Sequence, residues 1–173
     1  MGSLRDRLQW MEGQGAVADG PRRYLMMRPD VLMGAVALLD DGARDALLQA
    51  WAASTREHGG ASLRAYADSV DGDADALTAT TAAAAADLGW GRWTWQRSSA
   101  GLALEVANSP FVDGWRAAAA HASLQPVCAP LRGMFSALLD VLQPDATPVN
   151  EVWCAAMHDH PDRPCRFEAK GSP

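Results

Sequence analysis

The stretch WGRWTWQRSSAGLALEVA, residues 90–107, is where a helical pattern stops and a strand pattern begins. Trp93 and Trp95 alternate with Arg92, Thr94 and Gln96, the period of two of a strand with one buried face. Arg97 to Gly101 supply a turn. Leu102, Leu104 and Val106 then alternate with Ala103, Glu105 and Ala107. Together they predict an antiparallel hairpin. Upstream, the spacing is helical. Pro29 suits a first helical turn, and Val31, Leu32, Ala35, Leu38 and Leu39 follow on one face. ARDALLQAWAASTREH (43–58) predicts a second helix ended by Gly59-Gly60, ASLRAYADSV (61–70) a shorter third, and DALTATTAAAAADLG (75–89) an alanine-driven fourth. Downstream, Phe111 to His121 and Pro126 to Leu142 predict two more helices. Val149 to Ala155 and Cys165 to Ala169 predict the last two strands. Helices, a hairpin, helices and a second hairpin make an α+β fold: an antiparallel sheet of about four strands packed against helices. Residues 1–20, with Gly13, Gly15 and Gly20 among polar residues, are expected as a flexible arm. Residues 21–173 then form a single domain.

Composition narrows the function. The chain has 173 residues, 49% hydrophobic and 21% charged, so it is long enough for a real core and is not disordered. A net charge of −6 argues against general nucleic-acid binding, which needs clustered cations. No apolar run reaches the length of a membrane span and no secretory signal is visible, so a cytoplasmic location is expected. Three cysteines cannot all pair internally, and in a reducing compartment metal or burial is the better expectation.

Cys128 lies in PVCAPLRGMFSALL (126–139), in the first turn of its predicted helix, where free N–H groups and the helix dipole favour a thiolate. Cys154 closes NEVWC (150–154) and Cys165 lies in RPCRFEA (163–169), on either side of the turn HDHPDR (158–163). Glu151 precedes Cys154 by three. Three thiolates and a carboxylate make the four-donor tetrahedral set that Zn2+ accepts, closed to substrate and therefore structural. On a regular strand, residues three apart face opposite sides. Glu151 and Cys154 can share an ion only if the strand bulges or ends between them; otherwise His158 or His160 supplies the fourth donor. The plain alternative is three buried cysteines.

PVCAPLRGMFSALLDVL (126–142), NEVWCAAM (150–157) and PCRFEA (164–169) resemble the C-terminal signature of the 4-vinyl reductase domain family: a Cys opening a Gly-containing helix, Glu-x-x-Cys, then Cys-x-Phe. The likeness covers roughly residues 100–169. That family includes bacteriochlorophyll 4-vinyl reductase and the hydrocarbon-binding sensory domains of phenol- and xylene-responsive activators. It is related in fold to subunits of a Golgi trafficking complex. The resemblance implies zinc held by Cys128, Glu151, Cys154 and Cys165, a homodimer, and a hydrophobic small molecule bound between helices and sheet. The stretch from Cys154 to Cys165 is longer than the family's and carries Met157-His158 in place of Met-Gly. In the phenol sensors a His and a Trp hold the ligand hydroxyl; Asn108-Ser109-Pro110-Phe111 falls where that Trp would be. The resemblance therefore does not extend to phenol sensing of that type.

Aromatic residues supply material for an apolar pocket, with Trp90, Trp93, Trp95, Phe111 and Trp115 as candidate ligand-binding residues. Plain core packing is the competing role for each. His58 and His121 read as solvated or capping. No dinucleotide fingerprint, Walker A sequence, Gly-x-Ser-x-Gly or His-Glu-x-x-His is present. The leading expectation is a ligand-binding protein with no catalytic residues, acting as carrier, sensor or chaperone for an aromatic or tetrapyrrole-like molecule. The alternatives are an enzyme or accessory factor in pigment vinyl reduction, and a ligand-free interaction module.

Overall fold

The computed structural model describes residues 3–119, 121–158, 160 and 163–171. A short helix α1 (Leu4–Arg7) leads into an antiparallel meander of β1 (Gln9–Met11), β2 (Ala16–Asp19) and β3 (Arg22–Tyr24). Three helices follow: α2 (Pro29–Ala37), α3 (Asp41–Ser69) and α4 (Ala74–Asp87). The hairpin β4 (Arg92–Ser98) and β5 (Gly101–Ala107) comes next, then α5 (Pro110–Ala118) and α6 (Ala129–Leu142). The chain ends with β6 (Asn150–Trp153) and β7 (Cys165–Lys170). The four strands of the main sheet lie in the order β4-β5-β7-β6, every neighbouring pair antiparallel. The α+β architecture read from the sequence is the one observed.

The register explains the core. Trp93 lies opposite Val106, and Val106 opposite Cys165; Trp95 lies opposite Leu104, and Leu104 opposite Phe167. These inward rows meet the apolar stripe of α6, whose Leu131, Phe135 and Leu138 are fully buried. The opposite sheet face is polar: Arg166 bonds Glu105, Glu168 and Gln96 across three strands. Among the described residues, no helix is long and apolar enough to cross a membrane.

Two segments depart from expectation. Gly59-Gly60 does not end a helix; α3 runs through it as one 29-residue helix. Glycine in a helix costs about 1 kcal/mol against alanine. Here α6 packs along α3, and Leu63 and Tyr66 beyond the glycines are buried against the core. A Cβ on Gly59 would meet Met134 Sδ at 2.3 Å, and one on Gly133 would meet the Ala52 carbonyl oxygen at 2.3 Å, so the missing side chains are what let the helices touch. Within the segment 1–20, expected as a loose arm, residues 9–11 and 16–19 are strands: Trp10 lies opposite Val17 and Val17 opposite Tyr24, with Leu4 buried. Gly15 and Gly20, both at φ +58°, make the turns. The loop between β2 and β3 is Gly20-Pro21, since Asp19 pairs with Arg22.

Candidate metal centre and apolar groove

The last hairpin resolves the spacing problem of Glu151 and Cys154. In β6, Glu151 lies opposite Phe167 while Trp153 lies opposite Arg166, so two residues of β6 match one step of β7. The extra residue is a β-bulge, and the strand ends at Trp153. Glu151 and Cys154 therefore face the same side. Cys165 opens β7, and Cys128 sits at the N-cap of α6. One donor atom from each of Cys128, Glu151, Cys154 and Cys165 lies within 4.8 Å of the other three. The Cys128 and Cys165 sulfurs are 3.7 Å apart. Two thiolates on one tetrahedral zinc stand about 3.8 Å apart, from a Zn–S bond of about 2.3 Å.

The chemistry of this cluster is incomplete on its own. All three cysteines are free and buried. Glu151 Oε1 is buried and accepts no hydrogen bond. Burial pushes the Glu151 carboxyl well above its usual range and does the same to the Cys128 thiol. Hydrogen bonds to Cys154 and Cys165 and the nearby Glu151 charge push the Cys128 thiol in the same direction. Hydrogen bonds from the Cys128 and Cys154 thiols hold the Cys165 thiol down to about 4, and the Ala155 N–H also donates to its sulfur at 3.3 Å. An orphaned carboxylate oxygen beside three converging sulfurs fits a divalent ion, which would reverse the cost of burying these donors. Ser109 Oγ, 3.3 Å from Cys128 Sγ, is a neighbour that spacing alone did not suggest. His158 stacks on Trp153 instead of joining the cluster, and His160 is exposed. Asp159, Pro161 and Asp162 of the connecting turn, and Ala120 of the helix expected over 111–121, lie outside the described residues.

The five candidate ligand residues divide. Trp90 and Phe111, rings edge to face at 5.9 Å, stand in the wall of an open groove of about 880 Å3. Trp10, Tyr24, Met26, Met27 and Trp51 are among the other apolar residues that line it. Trp93, Trp95 and Trp115 pack into the core. Trp115 is 1% exposed and donates its indole N–H to the His121 carbonyl; Trp93 donates to the Trp90 carbonyl. Trp95 packs edge-on against Phe135 at 5.2 Å, its Nε1 buried without an acceptor. Sequence reasoning missed Trp10, which lies in the segment expected as an arm, and Tyr24 and Met27, which lie between that arm and the first expected helix where no periodicity marks them.

With this geometry in view, the chain is similar to the crystal structure of the phenol-responsive sensory domain of the transcription activator PoxR with phenol. The TM-score is 0.77 at 16% identity, over 97% of this chain and 86% of that one. The fold is that of the sensory domain. This agrees with the resemblance drawn from the cysteine motifs. No family model matches the sequence, and no curated protein matches it.

Proposed function

We propose that this chain is a small-molecule-binding domain of the sensory kind, taking a hydrophobic aromatic or tetrapyrrole-like molecule beside Trp90 and Phe111. In this reading Cys128, Glu151, Cys154 and Cys165 hold a structural Zn2+. The observation that supports the ligand is the groove itself: its volume lies within the range of small-molecule sites, and seven aromatic or thioether side chains line it. The observation that supports the metal is the orphaned Glu151 carboxylate among three buried thiols. A bound zinc ion supplies no reaction here; it fastens the closing hairpin to the tip of α6. The role as carrier, sensor or chaperone follows from reversible binding without a catalytic constellation.

Titrating the protein with naphthalene-sized apolar probes should change tryptophan fluorescence. Trp90→Ala should weaken the response about tenfold, the loss of about 1.4 kcal/mol expected for one aromatic contact. Silence across a broad panel would instead favour a ligand-free interaction module.

We also assign the chain a homodimer. The meander buries none of its own residues, and Trp10, Leu25 and Met26, which also line the groove, are 65%, 80% and 74% exposed, so a second copy would cover the groove's outer wall. A three-stranded sheet needs an apolar face covered to be stable. Sedimentation should give a dimer, and the double variant Leu25→Glu/Met26→Glu a monomer. A monomeric parent would remove this assignment.

A further inference from the structure

Cys154 and Cys165 are eleven positions apart, and a flexible connection of that length would leave two thiols to find each other at an entropic cost. The structure removes most of that freedom at one ring. Trp153, the residue before Cys154, stacks on His158 with ring centroids 3.9 Å apart and planes 12° from parallel. The Arg163 guanidinium lies 3.6 Å from the centre of the same ring. Two groups at those distances cannot share one face, so His158 and Arg163 cover opposite faces of Trp153. The start, middle and end of the connection are thus gathered at a single side chain. A second anchor comes from α5: Arg116 donates to the Ala155 carbonyl at 2.8 Å and to the His158 carbonyl at 3.2 Å. Beneath them, the Ala155 N–H reaches Cys165 Sγ.

We propose that the His158–Trp153–Arg163 sandwich is a clasp for the metal centre, with Trp153 as the positioning residue that pre-aligns Cys154 and Cys165 on Cys128 and Glu151. This rests on the metal reading above and extends it to residues that touch no donor atom. The clasp compensates for the length of the connection, which a shorter hairpin would not need. Nothing in it requires the tryptophan to meet ligand or solute. Its effect is to shorten the search of the two hairpin thiols, so it acts on the rate at which metal is lost more than on the identity of the metal.

The test uses the full chain and two readouts. The first is transfer of zinc to a chromogenic chelator. Trp153→Ala should lose zinc about tenfold faster than the parent, the scale on which residues outside the donor set act. His158→Ala and Arg163→Ala should each lose it about threefold faster, since each removes one face of the sandwich. Trp153→Phe, which keeps a ring to stack on, should fall between the parent and Trp153→Ala. The melting temperatures of the His158 and Arg163 variants should stay at the parent's, which separates a clasp from general stability. Leu38→Ala, at the exposed end of α2, should leave the rate unchanged. The second readout is amide hydrogen exchange over residues 154–165, where Trp153→Ala should lose protection. Equal zinc-transfer rates in parent, His158→Ala and Arg163→Ala would overturn the clasp. A parent that purifies without metal would defeat the metal reading instead, and exchange would then decide the clasp: unchanged protection in Trp153→Ala overturns it, and lost protection sustains it.

Discussion

Cys154→Ser is expected to purify without metal and to have lost most of its stability. Cys154 joins β6 to β7 through the donor cluster, and it lies between Glu151 and Cys165 in the chain. A structural zinc site contributes on the order of 10 kcal/mol of binding free energy. A whole domain is stable by about 5–15 kcal/mol, so losing the ion removes most of what holds the native state. Serine is nearly isosteric, so packing alone would change little. Elemental analysis should give about one zinc per parent chain and none in the variant, and the parent treated with a strong chelator should melt like the variant. A Cys154→Ser protein that melts with the parent would show that the three thiols are ordinary core residues.

Phe135→Ala should cost about 3–5 kcal/mol, the loss typical of a large aromatic cut back in a packed interior. For a chain of this length that corresponds to a fall of about 10 °C in melting temperature. Phe135 is fully buried on α6 and meets Trp95 edge to face, so its removal opens a void between the helix and the sheet. The measurement also separates two places for a ligand. If the ligand sits at Trp90 and Phe111, the fluorescence response of Phe135→Ala below its melting temperature should match the parent's. If the buried Nε1 of Trp95 is instead where a ligand acceptor docks, binding should change with Phe135 and stability should fall by less than about 1 kcal/mol. That outcome would relocate the site into the interior.

The legibility of this protein varies with the range of the interactions involved. The hairpin at 92–107 was plain because alternation is a local signal, and the stripe of α6 was plain for the same reason. The four donors were legible as residue types, and the requirement for a bulge between Glu151 and Cys154 followed from strand geometry alone. The continuity of α3 through Gly59-Gly60 was not legible. It depends on Met134 and Arg132-flanked Gly133 arriving from a helix more than seventy residues away. The meander at 9–24 was hidden for a different reason. Its strands are three or four residues long, too short to show a period, and its Gly20-Pro21 turn sits among polar residues.

Residue order alone indicated the fold class and the antiparallel pairing, because each is written in spacings of two, three or four residues, and it named the candidate donors by residue type. Only the folded chain decided that Trp90 and Phe111 face a groove while Trp93, Trp95 and Trp115 fill the core. It also decided that Cys128, Glu151, Cys154 and Cys165 converge in one buried cluster. Both outcomes depend on which surfaces other segments cover, and covering is a property of distant parts of the chain brought together, which no local pattern records.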